Sequence, residues 1–106
     1  MSLNYAAQKL RMAVTILATL PERLDERLLQ VYNESGFMGV HERVFPSEEW
    51  QAELKQVRDK LQSFYRDGLP DVNDQVHLAT RILNLYHEVR RLQEESRLKP
   101  YLAPES

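Results

Sequence analysis

The chain contains no cysteine among its 106 residues. Disulfide bonds, thiolate metal sites and cysteine nucleophiles are therefore excluded, which suits a reducing compartment, and we expect a cytoplasmic protein. Glycine is also scarce, at three residues. No lysine follows these glycines in the spacing of a phosphate-binding loop, and no serine lies in a nucleophile elbow. We expect no cofactor.

No segment of the chain has a marked excess of positive or of negative charge. Fourteen basic side chains face sixteen acidic ones, for a net charge of −2. Basic residues are interleaved with acids, as in the run 88–95, which reads Glu-Val-Arg-Arg-Leu-Gln-Glu-Glu. A nucleic-acid-binding protein needs a basic face that displaces counterions from phosphates. We therefore expect no nucleic-acid partner.

Long hydrophobic runs are lacking as well. The most apolar stretch, residues 12–20, follows Lys9 and Arg11 as in a signal peptide. However, no small-x-small cleavage site follows it, and it is too short to span a bilayer. We expect no membrane association.

Apolar residues at alternating spacings of three and four are plentiful, and this period is typical of amphipathic helices. It predicts four helices near residues 4–19, 21–35, 47–66 and 71–97. Thr19 to Glu22, with Pro21, suggests a capping box for the second helix, and Ser47 caps the third. Gly36 and Gly68 end the second and third helices.

These elements predict an all-α fold, an antiparallel four-helix bundle with a long apolar connection between helices 2 and 3. One domain spans residues 1–97, and residues 98–106, which include Pro100 and Pro104, form a loosely ordered tail. The residues expected to be buried are Leu10, Leu17, Leu28, Leu54, Leu61, Ile82 and Val89. The last helix carries a broad apolar face with a second row at Val76, Ala79, Leu83 and Tyr86.

The connection, residues 36–46, is longer and more apolar than most helix–helix loops. It carries five large apolar side chains, namely Phe37, Met38, Val40, Val44 and Phe45. Residues 40–44 alternate as a short strand would. Two hypotheses follow: the segment covers the open end of the bundle, or it forms a partner or ligand surface.

Two groups of residues suggest chemistry. Asp71, Asp74 and His77 share one side of the first turns of the last helix, but a di-metal bundle needs a second Glu-x-x-His pair, so we expect no metal. Arg81 and His87 form an R-x5-H string that resembles the motif of HEPN-type helical ribonucleases, which are also small four-helix proteins. That family usually has a polar residue after the arginine, where this chain has Ile82.

We therefore expect a small non-catalytic helical protein that acts through protein–protein contacts. The last helix should be longer than the third, so its far end should overhang and expose apolar residues. Such a patch predicts a homodimer. The interface candidates are the five apolar residues of the connection, Phe37, Met38, Val40, Val44 and Phe45, and three of the overhang, Val89, Leu92 and Leu98. The alternative is a HEPN-like ribonuclease or toxin–antitoxin component using Arg81 and His87.

Overall fold

The computed structural model describes residues 2–19, 22–68 and 71–102, with side chains as far as Leu98. Its four helices are α1 (Leu3–Thr19), α2 (Leu24–Glu34), α3 (Glu48–Asp67) and α4 (Val72–Leu102). Over these ranges all regular structure is helical, as predicted. None of the described helices is long and apolar enough to cross a membrane.

The helices pack as a bundle in which α1 and α3 each contact both α2 and α4. Six of the seven residues predicted for the core have no exposed surface, namely Leu10, Leu28, Leu54, Leu61, Ile82 and Val89. The seventh, Leu17, is half-buried at the edge of the core. The prediction of full burial for Leu17 is therefore wrong, although it still packs against the core.

The ends of α3 follow the predicted signals. The hydroxyl oxygen of Ser47 accepts hydrogen bonds from the backbone N–H groups of Glu49 at 3.1 Å and Trp50 at 3.4 Å. Gly68, at the other end, has φ of +97°, which a side chain would disfavour. Both ends of α3 are thus set by local chemistry visible in the sequence.

The start of α2 differs from the prediction. The helix begins at Leu24, three residues after the predicted start at Pro21, which lies outside the described residues with Leu20. Arg23 is the capping residue instead, and its backbone N–H donates to the Glu26 carboxylate at 3.3 Å. Glu26 thus satisfies a backbone donor at the start of α2.

The end of α4 also differs. The helix continues through Pro100 to Leu102, five residues beyond the predicted end at Arg97. Proline is disfavoured in the interior of a helix. Its fixed φ is nevertheless a helical value, and Pro100 removes only one backbone donor from the last turns of α4. Residues 103–106 lie outside the described residues, so a loosely ordered tail stays a prediction.

The connection contains two 3-10 turns, Phe37–Gly39 and Glu42–Val44, where the sequence suggested a short strand. The strand prediction is wrong because the segment turns back on itself. The Val40 N–H donates to the Phe37 carbonyl oxygen and the Phe45 N–H to the Glu42 carbonyl oxygen. Both bonds stay within the segment instead of joining a neighbouring strand.

Candidate interaction surface

The apolar side chains of the connection point mainly into the bundle. Phe37, Val40 and Phe45 have no exposed surface, and Met38 and Val44 are half-buried against the core. Fully covered side chains contribute no contact area to a surface of this conformation. Within the connection, Met38 and Val44 are therefore the remaining interface candidates.

The connection is also fastened to α3 by polar contacts. Arg58 donates from one guanidinium nitrogen to the Val40 carbonyl oxygen and from the other to the Glu42 carboxylate, both at 2.7 Å. The Gln51 amide donates to the Phe45 carbonyl oxygen at 2.8 Å. A hydrogen bond to its own backbone and the nearby Arg58 guanidinium hold the pKa of Glu42 below its usual value. These contacts fit the covering role among the two hypotheses.

The far end of α4 is partly covered by α1. Val89 is fully buried and Leu92 nearly so, while Leu98 is half-buried. The Gln93 amide donates to the Asn4 side-chain oxygen at 2.8 Å, which places the start of α1 beside this part of α4. The part of α4 that carries Val89 and Leu92 is therefore covered within the chain, and of the three interface candidates only Leu98 keeps partial exposure.

Arg81 and His87 lie on different sides of α4. Arg81 donates two hydrogen bonds of 2.8 Å to the Glu53 carboxylate of α3 and a third, of 3.1 Å, to Gln56. The bond from Arg81 holds the pKa of Glu53 below its usual value, and the pairing raises that of Arg81. His87 is exposed, and its ring lies beside that of Tyr86. Arg81 is thus engaged with α3, away from His87.

A polar cleft of about 410 Å³ lies between the end of α3 and the start of α4. Its walls carry charges of both signs, from Lys60, Asp67, Asp74 and Arg81, together with the imidazole of His77. The Ser63 hydroxyl in this cleft donates to the Asp67 carboxylate at 3.3 Å instead of to a histidine. In the described ranges, no three His, Asp or Glu side chains are arranged to hold a metal ion, Asp71, Asp74 and His77 included.

The first half of α4 presents an exposed row with no charge. We call it the outer row, and it consists of Val72, Asn73, Val76, Thr80, Leu83 and His87. Val72 is 67% exposed, Val76 50% and Leu83 37%, which makes them the most exposed aliphatic side chains of α4 up to Leu98. Depletion of charge together with exposed apolar side chains is characteristic of the centre of protein interfaces.

The neighbouring helix α1 extends this charge-poor surface. Of its eight exposed residues, Arg11 alone is charged, and the others include Gln8, Met12, Thr15 and Ala18. Gln8, Arg11, Thr15 and Ala18 follow one another at spacings of three and four, so they form one stripe along α1. Gln8 and Arg11 line a groove with Tyr86 and Arg90, so this stripe lies beside α4 just beyond the end of the outer row.

The opposite side of the molecule has a different composition. Among the eleven exposed residues of α3, seven are charged: Glu48, Glu49, Lys55, Asp59, Lys60, Arg66 and Asp67. Charged side chains on one helix and few on another mean that the two surfaces are suited to different surroundings. A charge-rich surface such as that of α3 is typical of surfaces in permanent contact with water, whereas a charge-poor, partly apolar surface is typical of the centre of protein interfaces.

At the far end of the outer row lies a basic groove of about 350 Å³. Its described walls contain two arginines and no acid, and they are formed by Asn4, Ala7, Gln8, Arg11, Tyr86, Arg90 and Gln93. Arg90 donates to the Gln93 side-chain oxygen at 2.8 Å, and Gln93 in turn donates to Asn4. This chain of hydrogen bonds orients the Arg90 guanidinium at the edge of the groove.

Comparison of the chain with protein-family models, with curated proteins and with solved structures gives no match. The interpretation of this surface therefore rests on its own geometry and composition.

The outer row is the part of the surface that the sequence reasoning missed. Val76 and Leu83 were recognised as a second apolar row, but their exposure was not. A signal was present in the sequence: between residues 72 and 87 the only charged residues are Asp74 and Arg81. Both are also found in the walls of the polar cleft, on the α3 side. The sequence shows that this face of the helix lacks charge, but only the packing shows that no other described helix covers it.

Proposed function

We propose that this chain is a small non-catalytic helical protein that acts by protein–protein contact, and that its partner is a second copy of itself. The observation that carries the proposal is the charge-free outer row of α4, with Val72, Val76 and Leu83 exposed. Covering such a row removes apolar surface from water, at about 25 cal/mol per Å². A second copy supplies the same row, so both are covered together.

The bundle is proposed to be antiparallel, as the sequence suggests. Asn4, near the start of α1, meets Gln93, in the last third of α4. Phe64, near the end of α3, lines the same cleft as Leu78, near the start of α4. Both contacts favour α4 running opposite to its two neighbours.

The bonds from Arg81 to Glu53 count against the ribonuclease alternative. A catalytic arginine must be free to contact the phosphate, whereas this one is mostly buried and bonded to a carboxylate. The side chain of Arg81 is 13% exposed and that of Glu53 27%. For this reason the interaction role is the preferred proposal.

The test is the molar mass of the full chain in solution, measured by size-exclusion chromatography with light scattering. At tens of micromolar we expect a mass near twice that of the 12.5 kDa chain. Leu83→Glu should return the mass to that of one chain, because it places a charge in the covered row. Gln62→Glu, on the exposed surface of α3, is the matched control and should leave the dimer intact. A parent chain that stays monomeric would contradict the proposal.

A further inference from the structure

Any self-association through the outer row requires a defined arrangement of the two copies. Self-association by itself does not determine how the two copies are oriented. The charges at the two ends of the row indicate one orientation. Asp71 precedes the row and is exposed, whereas Arg90 follows it and is also exposed. The row between them is neutral. An acid at one end and a base at the other complement each other when a second copy lies in the opposite direction.

We infer that two copies pair through α4 in antiparallel orientation about a two-fold axis, with Asp71 of each copy bound in the basic groove of the other. The inference rests on the proposed self-association and specifies its geometry. From Asn73 onwards the outer row keeps spacings of three and four, so it runs along one side of α4 and an antiparallel copy can stay in contact along its length. A parallel copy would instead bring Asp71 against Asp71 and Arg90 against Arg90.

The charges also determine the register. The midpoint of residues 71 and 90 lies between Thr80 and Arg81, and of these Thr80 belongs to the outer row. The axis therefore passes close to Thr80. In this register Leu83 of one copy lies between Val76 and Thr80 of the other, and Val76 lies between Leu83 and His87. Aliphatic and neutral polar side chains meet in the centre, and the charged groups meet at the two ends.

The groups at these ends are available for contact. One carboxylate oxygen of Asp71 accepts the backbone N–H of Asp74 at 2.9 Å, which leaves the other oxygen for an arginine. Arg90 uses one terminal nitrogen for Gln93, so the rest of its guanidinium can donate further bonds. Arg11 lies in the same groove. The Arg97 guanidinium and, to a smaller extent, that of Arg90 hold the pKa of the nearby Glu94 carboxyl below its usual value, so Glu94 lies close to this end of the row.

Charge reversal tests the orientation in the full chain. Arg90→Glu places like charges at both ends of the antiparallel pair, and we expect the dimer dissociation constant to rise at least about tenfold. The double variant Asp71→Lys with Arg90→Glu restores opposite charges and should recover much of this loss. In a parallel pair the double variant would stay repulsive. Arg66→Glu on α3 is the matched control and should leave dimerisation unchanged.

Asp71 also caps α4, so the double variant is checked by circular dichroism for its helix content. A second measurement needs no charge change. Because the chain has no cysteine, Thr80→Cys introduces a single thiol close to the axis. Under mild oxidation we expect a disulfide between two copies, whereas Gln62→Cys on α3 should give none at the same concentration.

The possible outcomes distinguish a failure of the antiparallel arrangement from a failure of self-association. The inference is supported if Thr80→Cys forms a disulfide between two copies and if the double variant recovers the dimer affinity that Arg90→Glu loses. A dimer that does not link at Thr80, or is not rescued, overturns the antiparallel register while self-association stands. A monomeric parent chain overturns both.

Discussion

Two apolar parts of this molecule differ in whether their side chains are buried or exposed. The connection between α2 and α3 is irregular, and it places Phe37, Val40 and Phe45 completely inside the bundle. The outer row belongs to a regular helix, yet it leaves Val72, Val76 and Leu83 in solvent. Apolar composition alone therefore does not determine which segment forms the core.

The difference follows from the backbone. A helix satisfies its own N–H and C=O groups, so α4 is stable with one side exposed. The connection has only the few bonds of its two 3-10 turns, and several of its remaining polar groups need partners from elsewhere. Arg58 and Gln51 of α3 supply two of them, at Val40 and Phe45. Anchoring the backbone to α3 directs the neighbouring aromatic side chains inward.

The largest effect that would test this contrast comes from truncating one side chain in each region. Phe37→Ala should reduce the free energy of unfolding by about 3–5 kcal/mol, as for other buried phenylalanines. Val76→Ala should change the stability of the single chain by less than about 0.5 kcal/mol, since Val76 is half exposed. Urea denaturation at low protein concentration measures both. Equal losses would mean that the outer row is covered within one chain.

A smaller effect should follow from releasing the connection. Arg58→Ala removes the donor to the Val40 carbonyl oxygen, and the loss of that hydrogen bond should cost about 1–2 kcal/mol. Hydrogen exchange should also become faster in residues 36–46 than elsewhere. Lys55→Ala, at an exposed position of α3, is the matched control and should be close to neutral. Unchanged exchange in Arg58→Ala would show that apolar packing alone holds the segment.

The smallest expected effect on stability concerns the side of α4 that packs against α3, where Arg81 bonds Glu53. This side is separate from the outer row. Because its pKa is lowered in the folded chain, Glu53 contributes stability above its unfolded pKa and loses it as pH falls through the folded value. Glu53→Gln should therefore be less stable than the parent at neutral pH, by less than about 1 kcal/mol, because the pair is only partly shielded from solvent. The difference should close in acid.

Thermal denaturation as a function of pH provides the measurement for this pair. Gln62→Ala, at an exposed and uncharged position of the same helix, should show no comparable trend. A difference between Glu53→Gln and the parent that persists at the lowest pH would assign its effect to packing and not to charge.

Much of the fold was predictable because its signals are local. Ser47 and Gly68 determine the ends of α3, and the apolar spacing identifies six fully buried core positions. The conformation of the connection was not predictable, since alternation at residues 40–44 suits a strand, while the bonds from Arg58 lie 16 and 18 residues away in sequence. Exposure of Val76 and Leu83 depends on where α1 and α3 pack, which periodicity does not specify.

The contact between Asn4 and Gln93 has a consequence for how the chain is made. These residues are 89 positions apart, and α1 depends on α4 for much of its cover. During synthesis at about 5–20 residues per second, α1 emerges several seconds before α4 exists. Over that interval the apolar side of α1, with Leu10 and Ala13, lacks the helix that will bury it. In a newly made chain the apolar side of α1 is therefore without its main covering helix until α4 is complete.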